Sequence, residues 1–497
     1  MGTMPERSDK RRLILCLDGT WMNSDKGDDQ TSGSRYGTLA PPTNVTRMYR
    51  SLQKRGPHGE SQIMYYHPGV GSTGGVADSI SGGLFGDGVG ENIREAYSFI
   101  ATNYEPGDEI ILIGFSRGAF TARGVAALID AVGLLNSEGL NMLYPIFKDV
   151  ENMHNPDYKD KFPYTPFPDK FRRSDAAADY KKRLFDLTRV SHEGIPITVR
   201  CVAVWETVGS LALALDEDRT SFAPAVWERP NDVRTDLRQV WFCGAHSNVG
   251  GGLRDQELAN VSMAWMMDQL TSIGVTFYDN TIDIMWEKNM RFFFKYPDGA
   301  PPPKKERDHH RLRWAHRRVY DDHYPVRPWA LGEIVQPDTG VYRLAGKTTR
   351  TPGQYHRVDP KTGLPTPYFL KNTNERVHSS VRVRLDLGGL GYDDEEHYKC
   401  RALLKKGLWE PCLIRTVISY SREAHNAHRD EIETDSLEGE RWGWVYRGPK
   451  ENSPPQEILM EEPLGPWQNR LLSMSKGMYT PMHLLSGTVP WDFESNE

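Results

Sequence analysis

The chain has 497 residues, of which 38% are hydrophobic and 26% are charged, a composition typical of globular proteins with one to three domains. Its formal net charge of −6 at pH 7 argues against nucleic acid as the principal partner. The polar N-terminus, the lack of a charge-free apolar stretch of membrane-spanning length and five cysteines without a CxxC pair predict a cytoplasmic protein with disordered residues at 1–10.

The first glycine-rich motif is Gly69-Val-Gly71-Ser-Thr-Gly74, which formally fits the GxGxxG pattern of dinucleotide-binding proteins. The residues after it are too rich in glycine for the crossover helix that such a site requires. We therefore do not expect nucleotide binding. The next periodic segment, Glu91 to Tyr104, has apolar residues at helical spacing and predicts a helix.

The most informative motif is Gly114-Phe-Ser116-Arg-Gly118, which has the form GxSxG. It follows the apolar run Glu109 to Ile113 and precedes a helix-compatible run from Ala119 to Leu128. Between a strand and a helix, this motif holds a serine on a strained turn with its hydroxyl exposed, and the glycines prevent collisions there. The N-terminus of the helix favours an oxyanion. The motif therefore predicts Ser116 as a nucleophile.

A serine nucleophile needs a base and an acid that orients the base. The predicted strand Ile197 to Trp205 ends at Glu206, and the predicted strand Arg238 to Cys243 runs into a glycine-rich loop that carries His246. Serine, acid and histidine thus follow three strands in the α/β-hydrolase order. We predict Glu206 as the acid and His246 as the base. The polar segment after Glu206 offers three alternative acids, Asp216, Glu217 and Asp218.

Helical segments alternate with short apolar strands along the first half of the chain. Leu258, Val261 and Trp265 mark a further helix after the histidine loop. This alternation predicts an α/β fold with a mainly parallel sheet covered by helices on both faces. An insertion at about residues 136–195 interrupts the pattern between nucleophile and acid, and it is either a lid or a surface excursion without a gating role.

The motifs fade beyond about residue 285. A proline-rich and then basic stretch at 301–318 favours a solvated segment over a patch for anionic membranes. The alternation from Val381 to Leu387 predicts a half-buried strand. His425 and His428 are spaced like metal ligands but have no third ligand in view, so no metal site is predicted. We expect a catalytic domain at residues 11–290, while residues 291–497 are either its elaboration or a second domain.

With these motifs the chain resembles the α/β-hydrolase family long catalogued as a domain of unknown function, which includes the first class of type VI secretion phospholipase effectors. The similarity covers roughly the first half of the chain, from Leu13 to about Met267. The matching motifs are Leu17-Asp-Gly-Thr20 with Asn23, Tyr66-His-Pro-Gly-Val-Gly71, Glu91-Asn-Ile-Arg-Glu-Ala-Tyr97, Gly107-Asp-Glu-Ile110, Gly114-Phe-Ser-Arg-Gly-Ala119 with Ala122-Arg123, Val204-Trp-Glu-Thr-Val208, and Val240-Trp-Phe242 through His246 to Gly252.

The resemblance also implies residue roles and two departures. It implies that Leu13 to Leu17 is the strand before the oxyanion loop. The family pattern has aspartate where this chain has Glu206 and Asn248, and glutamate serves as the acid in some α/β-hydrolases. Asp18 either hydrogen-bonds the backbone of its loop or pairs with an arginine, Arg117 or Arg123. The oxyanion hole implied by the resemblance is formed by backbone N–H groups of Gly19, Thr20 and Arg117.

These observations predict a serine hydrolase that cleaves carboxylic esters through an acyl-enzyme, without metal or organic cofactor. The resemblance implies lipid or phospholipid esters as substrates. Two alternatives stay open: a catalytically inactive binding protein of the hydrolase fold, and a carboxylesterase or thioesterase for small esters. The expected partner is an ester or lipid small molecule and not nucleic acid, while peripheral membrane contact and the oligomeric state stay open.

Overall fold

The computed structural model describes most of the chain. The chain packs into two compact units. The first unit comprises Met1–Thr207 with Gln269–Thr281, and the second comprises Val208–Asp268 with Ile282–Glu497. This division does not test the predicted boundary near residue 290, which stays a prediction. The described residues are 10–19, 27–28, 38–69, 87–153, 155, 157–170, 177–189, 197–206, 211–231, 233–295, 327–335, 346–359, 362–421 and 434–475.

The first unit contains a parallel four-stranded sheet in the order β8-β5-β1-β4. Residues Leu13 to Leu17 of β1 are fully buried because this strand lies between two others, which confirms the strand implied there. The strands of this unit are β1 (Arg11–Leu17), β2 (Gly27–Asp28), β3 (Thr38–Leu39), β4 (Ser61–His67), β5 (Glu109–Phe115), β6 (Leu134–Leu135), β7 (Thr188–Arg189) and β8 (Val199–Trp205).

Helices pack against this sheet and against each other. The helix after the GxSxG serine packs on β5 and on the helix predicted from Glu91 to Tyr104, and both predicted helices are confirmed. The helices of the first unit are α1 (Asn44–Ser51), α2 (Asp87–Asn103), α3 (Arg117–Val132), α4 (Ser137–Leu140), α5 (Leu143–Glu151) and α6 (Ala177–Arg183).

The predicted insertion at 136–195 contains α4, α5 and α6 in its described part. Its two ends are joined by the antiparallel pair β6–β7, in which Leu135 lies opposite Thr188. Helix α5 packs on both α2 and α3. Aromatic side chains nevertheless face solvent, since Tyr164 is 76% and Phe185 is 60% exposed. The lid and the surface excursion both stay predictions for this segment.

The second unit combines parallel and antiparallel strands in the order β14-β15-β16-β13-β10-β9. The neighbouring strands β9, β10, β13 and β16 pair in parallel. Strand β15 pairs antiparallel with both of its neighbours, β14 and β16. The strand predicted from Arg238 to Cys243 is confirmed as β10. The strands of this unit are β9 (Ala212–Ala214), β10 (Gln239–Phe242), β11 (His356–Val358), β12 (Pro365–Phe369), β13 (Glu375–His378), β14 (Trp409–Ser421), β15 (Thr434–Tyr446) and β16 (Ile458–Glu462).

The core of the second unit is aromatic. Trp241, Trp409 and Trp444 are buried together in one cluster with Val377 and Leu459. The helix predicted after the histidine loop is confirmed, and its last three residues belong to the first unit. Parallel strands and helices in both units confirm the α/β class. The helices of the second unit are α7 (His246–Gly250), α8 (Glu257–Thr271), α9 (Thr281–Lys295), α10 (Ser379–Asp386), α11 (Arg401–Leu404) and α12 (Pro466–Met474).

The strand predicted from Val381 to Leu387 is wrong, because these residues lie mainly in helix α10. The alternating pattern suggested that the arginines face solvent, but Arg382 and Arg384 are as buried as Val381 and Val383, with which they alternate. Arg382 pairs with Glu461 at 2.9 Å, and Arg384 donates to backbone carbonyl groups that include that of Gly332 at 2.8 Å. Burying a charged side chain is tolerated when it is paired in this way.

Candidate active site

Ser116 lies on a strained turn between β5 and α3. Its backbone angles are φ 55° and ψ −123°, outside the regions that residues other than glycine usually adopt. A Cβ atom added at Gly118 would lie 2.1 Å from the carbonyl oxygen of Leu17, and one at Gly114 would lie 2.6 Å from the Cα of Ala119. The half-buried serine does not cap its own helix through the hydroxyl. Both glycines of the motif are therefore required by the packing of this turn.

Glu206 lies beside Ser116 at the end of the neighbouring parallel strand. Phe115 of β5 pairs with Trp205 of β8, and the Ser116 N–H donates to the carbonyl oxygen of Trp205 at 3.2 Å. Glu206 is only 4% exposed and has a positive φ of 37°. Two strained residues thus follow adjacent strands, which is common where side chains are aimed for a function. The first unit brings the predicted nucleophile and the predicted acid to the same sheet edge.

The turn after β1 lies at the same edge of the sheet, next to Ser116. A Cβ added at Gly19 would lie 3.2 Å from the Cβ of Ser116, so the backbone of this turn passes directly beside the serine. The Gly19 N–H, however, donates to Asp18 Oδ1 at 2.7 Å. Arg117 is the first residue of α3, and its N–H is one of those that begin the helix. Thr20 lies outside the described residues.

Asp18 is the anchor of the β1 turn. Its carboxylate is 2% exposed and accepts hydrogen bonds from Thr43 at 2.8 Å, from Thr46 at 2.6 Å and from Tyr66 at 2.9 Å. Burial raises the pKa of Asp18, and these hydrogen bonds oppose that rise by stabilising the charged form. Of the two roles considered for Asp18, the structure shows the hydrogen bond to the backbone of its own loop.

His246 belongs to the second unit and is the first residue of α7, directly after β10. The side chain is 7% exposed. Gly244 before it has φ 106°, and Gly251 at the end of α7 has φ 85°, so both positions need glycine. The segment predicted as a glycine-rich loop is therefore partly a short helix between two glycine turns.

The segment from Asp216 to Phe222 contacts His246 at two points. The His246 backbone N–H donates to Glu217 Oε2 at 3.2 Å, and the Phe222 ring meets the imidazole edge-on with 4.8 Å between ring centroids. Arg219 donates to both oxygens of Glu217, each at 2.8 Å. Burial alone would raise the pKa of Glu217, but the hydrogen bond and charge of Arg219, together with the charge of His246, hold that pKa below its usual value.

The other two alternative acids have different roles. Asp216 accepts hydrogen bonds from the Gly244 N–H at 2.7 Å and from the Tyr398 hydroxyl at 3.0 Å, and burial raises its pKa to about 6. Asp218 pairs with Lys347 at 2.9 Å. Of the three acids in this segment, Glu217 is the one with a hydrogen bond to His246.

Asn248, one of the two departures from the family pattern, ties the histidine helix to a distant segment. Its side-chain oxygen accepts from the Ala245 N–H at 3.1 Å, while its amide nitrogen donates to the carbonyl oxygen of Glu333 at 2.8 Å. An ionised aspartate could accept the first hydrogen bond but could not donate the second. The asparagine therefore matches the contacts of this chain.

Several predicted features fall outside the described residues. Among the residues that the structure describes, no three histidine, cysteine, aspartate or glutamate side chains form a metal-binding group, and no helix has the length and apolar character needed to cross a bilayer. The cytoplasmic location stays a prediction. Outside the described residues lie most of residues 1–10, which the sequence predicts to be disordered, the glycines after Gly69, the basic stretch at 301–318, and His425 with His428.

A comparison of the sequence with models of known protein families identifies the family of this chain. A model described as "T6SS, Phospholipase effector Tle1-like, catalytic domain" matches residues 11–214 and 211–269, which together are more than half of the chain. The chain belongs to this family. The matched region contains Gly19, Ser116, Glu206 and His246, so the predicted nucleophile, acid and base of this Tle1-like chain all lie in the segment that defines the family.

Two relatives extend the comparison of the Tle1-like chain. The uncharacterized protein YEL023C of Saccharomyces cerevisiae is 30% identical over 215 residues, which are 40% of this chain and 28% of that protein. The chain therefore spans little more than a quarter of the length of this curated relative. A solved structure of the Tle1 effector bound to the VgrG spike of the type 6 secretion system is 16% identical, covers 50% of this chain and 52% of the other, and has a TM-score of 0.22.

Proposed function

We propose that this chain is a serine hydrolase that cleaves carboxylic esters through an acyl-enzyme formed on Ser116. The observation that carries the proposal is the strained Ser116 turn, which is held between two glycines that no larger residue could replace without moving backbone atoms. Holding a serine in such a conformation costs free energy, and sites of this kind persist where the geometry is needed for function.

In the proposed mechanism His246 removes the proton of the Ser116 hydroxyl as the oxygen attacks the ester carbonyl carbon, and later gives that proton to the leaving alcohol. Water then attacks the acyl-enzyme with His246 again as the base. Glu206 orients the imidazole and stabilises its charged form. Its support is its burial at the strand end beside the serine and the order of the three residues along the chain.

The oxyanion of the tetrahedral intermediate requires at least two N–H donors in this scheme. We assign one to Arg117, at the start of α3, where the helix dipole adds to the stabilisation. The second donor belongs to the turn after β1. Because the Gly19 N–H already donates to Asp18, the donor is Thr20, or Gly19 after rearrangement of this turn. In either case the lack of a side chain at Gly19 permits the close approach to Ser116, because an added Cβ would lie 3.2 Å from the Cβ of Ser116.

Membership of a family described by phospholipase effectors supports phospholipid acyl esters as the substrate. Small soluble esters and thioesters use the same acyl-transfer chemistry, and they are the competing substrates. An assay of fatty-acid release from phosphatidylglycerol vesicles, run beside p-nitrophenyl butyrate, separates these classes. Preferential turnover of the vesicles supports a phospholipase, whereas turnover of the small ester alone contradicts it.

Labelling with a fluorophosphonate, followed by peptide mapping, tests the mechanism. We expect the label on Ser116, and we expect Ser116→Ala to abolish both labelling and ester hydrolysis. Ser98→Ala, which removes another half-buried serine in α2, is the matched control and should label like the wild type. A folded wild-type protein that takes no label at Ser116 would be a binding protein of the hydrolase fold instead.

A further inference from the structure

Three aromatic side chains form an exposed patch on the insertion of the first unit. Tyr144, Phe162 and Tyr164, which we call the aromatic patch, are 45%, 37% and 76% exposed. The rings of Tyr144 and Phe162 meet edge-on with 5.7 Å between their centroids. Tyr164 lies in a turn that is closed by a hydrogen bond of 3.1 Å from the Thr165 N–H to the Phe162 carbonyl oxygen. Adjacent apolar side chains that stay exposed are typical of a surface that a partner covers.

The loop that carries the patch is held by a group of buried charged side chains. Lys170 is the centre of this group, since its side chain is 4% exposed and pairs with Asp149 at 2.8 Å and with Asp160 at 3.2 Å. Asp160 also accepts the backbone N–H of Phe162 at 2.8 Å, and the Tyr180 hydroxyl donates to Asp149 at 2.7 Å. These contacts fix the loop with its aromatic side chains outward.

Two lysines place positive charge beside the patch. Lys159 and Lys161 are both exposed and flank Asp160, whose charge is compensated by Lys170. Within the part of the chain that the structure describes, neither of the two lysines is paired with a carboxylate. Asp157 is an exposed acid close to them in sequence, so the two cations exceed it by one charge. Aromatic rings beside lysines suit the headgroup region of a bilayer, where rings reach the apolar boundary and ammonium groups reach phosphates.

We propose that the aromatic patch, together with Lys159 and Lys161, docks this protein on the surface of a phospholipid bilayer. This inference rests on the proposed function, in which phospholipid acyl esters are the substrate. Aromatic rings would also serve a contact with another protein, but the excess of lysines over carboxylates at this edge favours a surface of phosphate groups. Docking on side chains that are already fixed outward requires no opening motion, so this role differs from both a lid and an inert excursion.

The test measures how the Ser116→Ala protein partitions onto lipid vesicles in a co-sedimentation assay. This background leaves the lipids intact during the measurement. The vesicles contain phosphatidylcholine alone or phosphatidylcholine and phosphatidylglycerol in equal amounts. Phe162→Ser and Tyr164→Ser should each weaken partitioning about tenfold on both kinds of vesicle, because each removes a ring that docking would bury. Lys159→Gln and Lys161→Gln should each weaken it about fivefold on the mixed vesicles and leave it unchanged on phosphatidylcholine alone.

The net charge of the chain makes the lysine variants informative. At −6 the protein as a whole is repelled by anionic vesicles, so tighter binding to the mixed vesicles has to come from a local group of cations. Added salt should therefore weaken binding to the mixed vesicles towards the level measured on phosphatidylcholine.

Tyr368→Ser and Lys450→Gln are the matched controls in the second unit. The Tyr368 side chain is 70% exposed and Lys450 is also exposed, so each control removes the same kind of group from another part of the surface. Both controls should partition like the Ser116→Ala protein. Circular dichroism verifies that every variant is folded.

Three results would overturn the proposal: a Ser116→Ala protein that binds neither kind of vesicle, folded patch variants that partition like it, or controls that lose as much. Sedimentation velocity tests the alternative partner. If the patch variants abolish self-association and leave vesicle binding intact, the patch is a contact between copies of the chain and the proposal is wrong.

Partitioning needs no turnover, so it separates this inference from the proposed function. A wild-type protein that binds vesicles through the patch but hydrolyses no ester would contradict the proposed function alone. If the wild type is active, the patch variants with Ser116 restored should lower fatty-acid release from vesicles by more than they lower hydrolysis of p-nitrophenyl butyrate, which is dissolved in water. Equal losses on the two substrates would contradict docking.

Discussion

Replacing Gly118 by alanine tests whether the Ser116 turn is held by direct backbone packing. The new Cβ would lie 2.1 Å from the Leu17 carbonyl oxygen and 2.4 Å from that of Asp18. No side-chain rotation relieves such contacts, so the end of β1 must move away from α3. Overpacking of this kind costs about 1–3 kcal/mol of the free energy of unfolding.

The same displacement should lower the reactivity of Ser116 by more than the loss of stability explains. The turn at Gly19 lies beside the serine, and a shift of about 1 Å near reacting atoms lowers a rate by about 100-fold. The assay combines urea unfolding with the rate of fluorophosphonate labelling, measured in the folded state. We expect a lower unfolding midpoint and labelling slowed by about 100-fold.

Gly90→Ala in α2 is the matched control, because its Cβ would meet side-chain atoms and no backbone, those of Phe147 at 3.3 Å and of Arg94 at 3.4 Å. Alanine also has a higher helix propensity than glycine, so the unfolding free energy should change by at most about 1 kcal/mol. Wild-type stability and labelling rate in Gly118→Ala would refute the packing argument, and equal losses in both variants would show that it is not specific to the nucleophile turn.

Four further predictions concern the proposed base, the proposed acid, Asn248 and the insertion at 136–195. His246→Ala should lower kcat by about 10³–10⁶-fold without unfolding the protein, and activity within tenfold of the wild type would exclude it as the base. Glu206→Gln should cost about 10⁴-fold in kcat while Glu206→Asp recovers at least part of the activity; if instead Glu206→Gln is active and Glu217→Gln is not, the role of the acid belongs to Glu217. Asn248→Asp should lower the free energy of unfolding by about 1–3 kcal/mol at pH 7, because the N–H donor to the Glu333 carbonyl oxygen is lost. This difference from the wild type should shrink in acid, where a protonated aspartate can donate, and a constant difference across pH would contradict the explanation. If the insertion at 136–195 is an apolar lid, longer p-nitrophenyl esters should gain about 1–3 kcal/mol in kcat/KM, and an unchanged profile after the insertion is shortened would favour the surface excursion.

The nucleophile turn could be predicted from sequence because its causes are local. The apolar strand, the glycines two residues on each side of Ser116 and the following helix all lie within one short segment, and the structure shows why each glycine is needed. The strand ends before Glu206 and His246 could be predicted for the same reason. The roles of these two residues stay predictions.

The features that sequence could not supply depend on contacts between distant segments. Glu217 was one of three adjacent acids, and only its hydrogen bond to the His246 backbone distinguishes it. The prediction of a strand at 381–387 was wrong because it assumed that the arginines are exposed. Their partners, the carboxylate of Glu461 for Arg382 and the carbonyl oxygen of Gly332 for Arg384, lie far away in sequence. The hydroxyl groups that donate to Asp18 likewise come from distant residues: Thr43 before α1, Thr46 in α1 and Tyr66 in β4. The sequence around Asp18 does not indicate these partners.

The hydrogen bonds that hold the His246 loop limit how far the chain can be truncated from its C-terminal side. The family match ends at residue 269, and a fragment ending near 290 would retain every predicted catalytic side chain. It would lack the carbonyl group of Glu333, the segment 346–350 and the hydroxyl of Tyr398, all of which hold residues 216–248. A minimal enzyme made from this chain must therefore extend beyond Tyr398, because the scaffold of the histidine is encoded well downstream of the histidine itself.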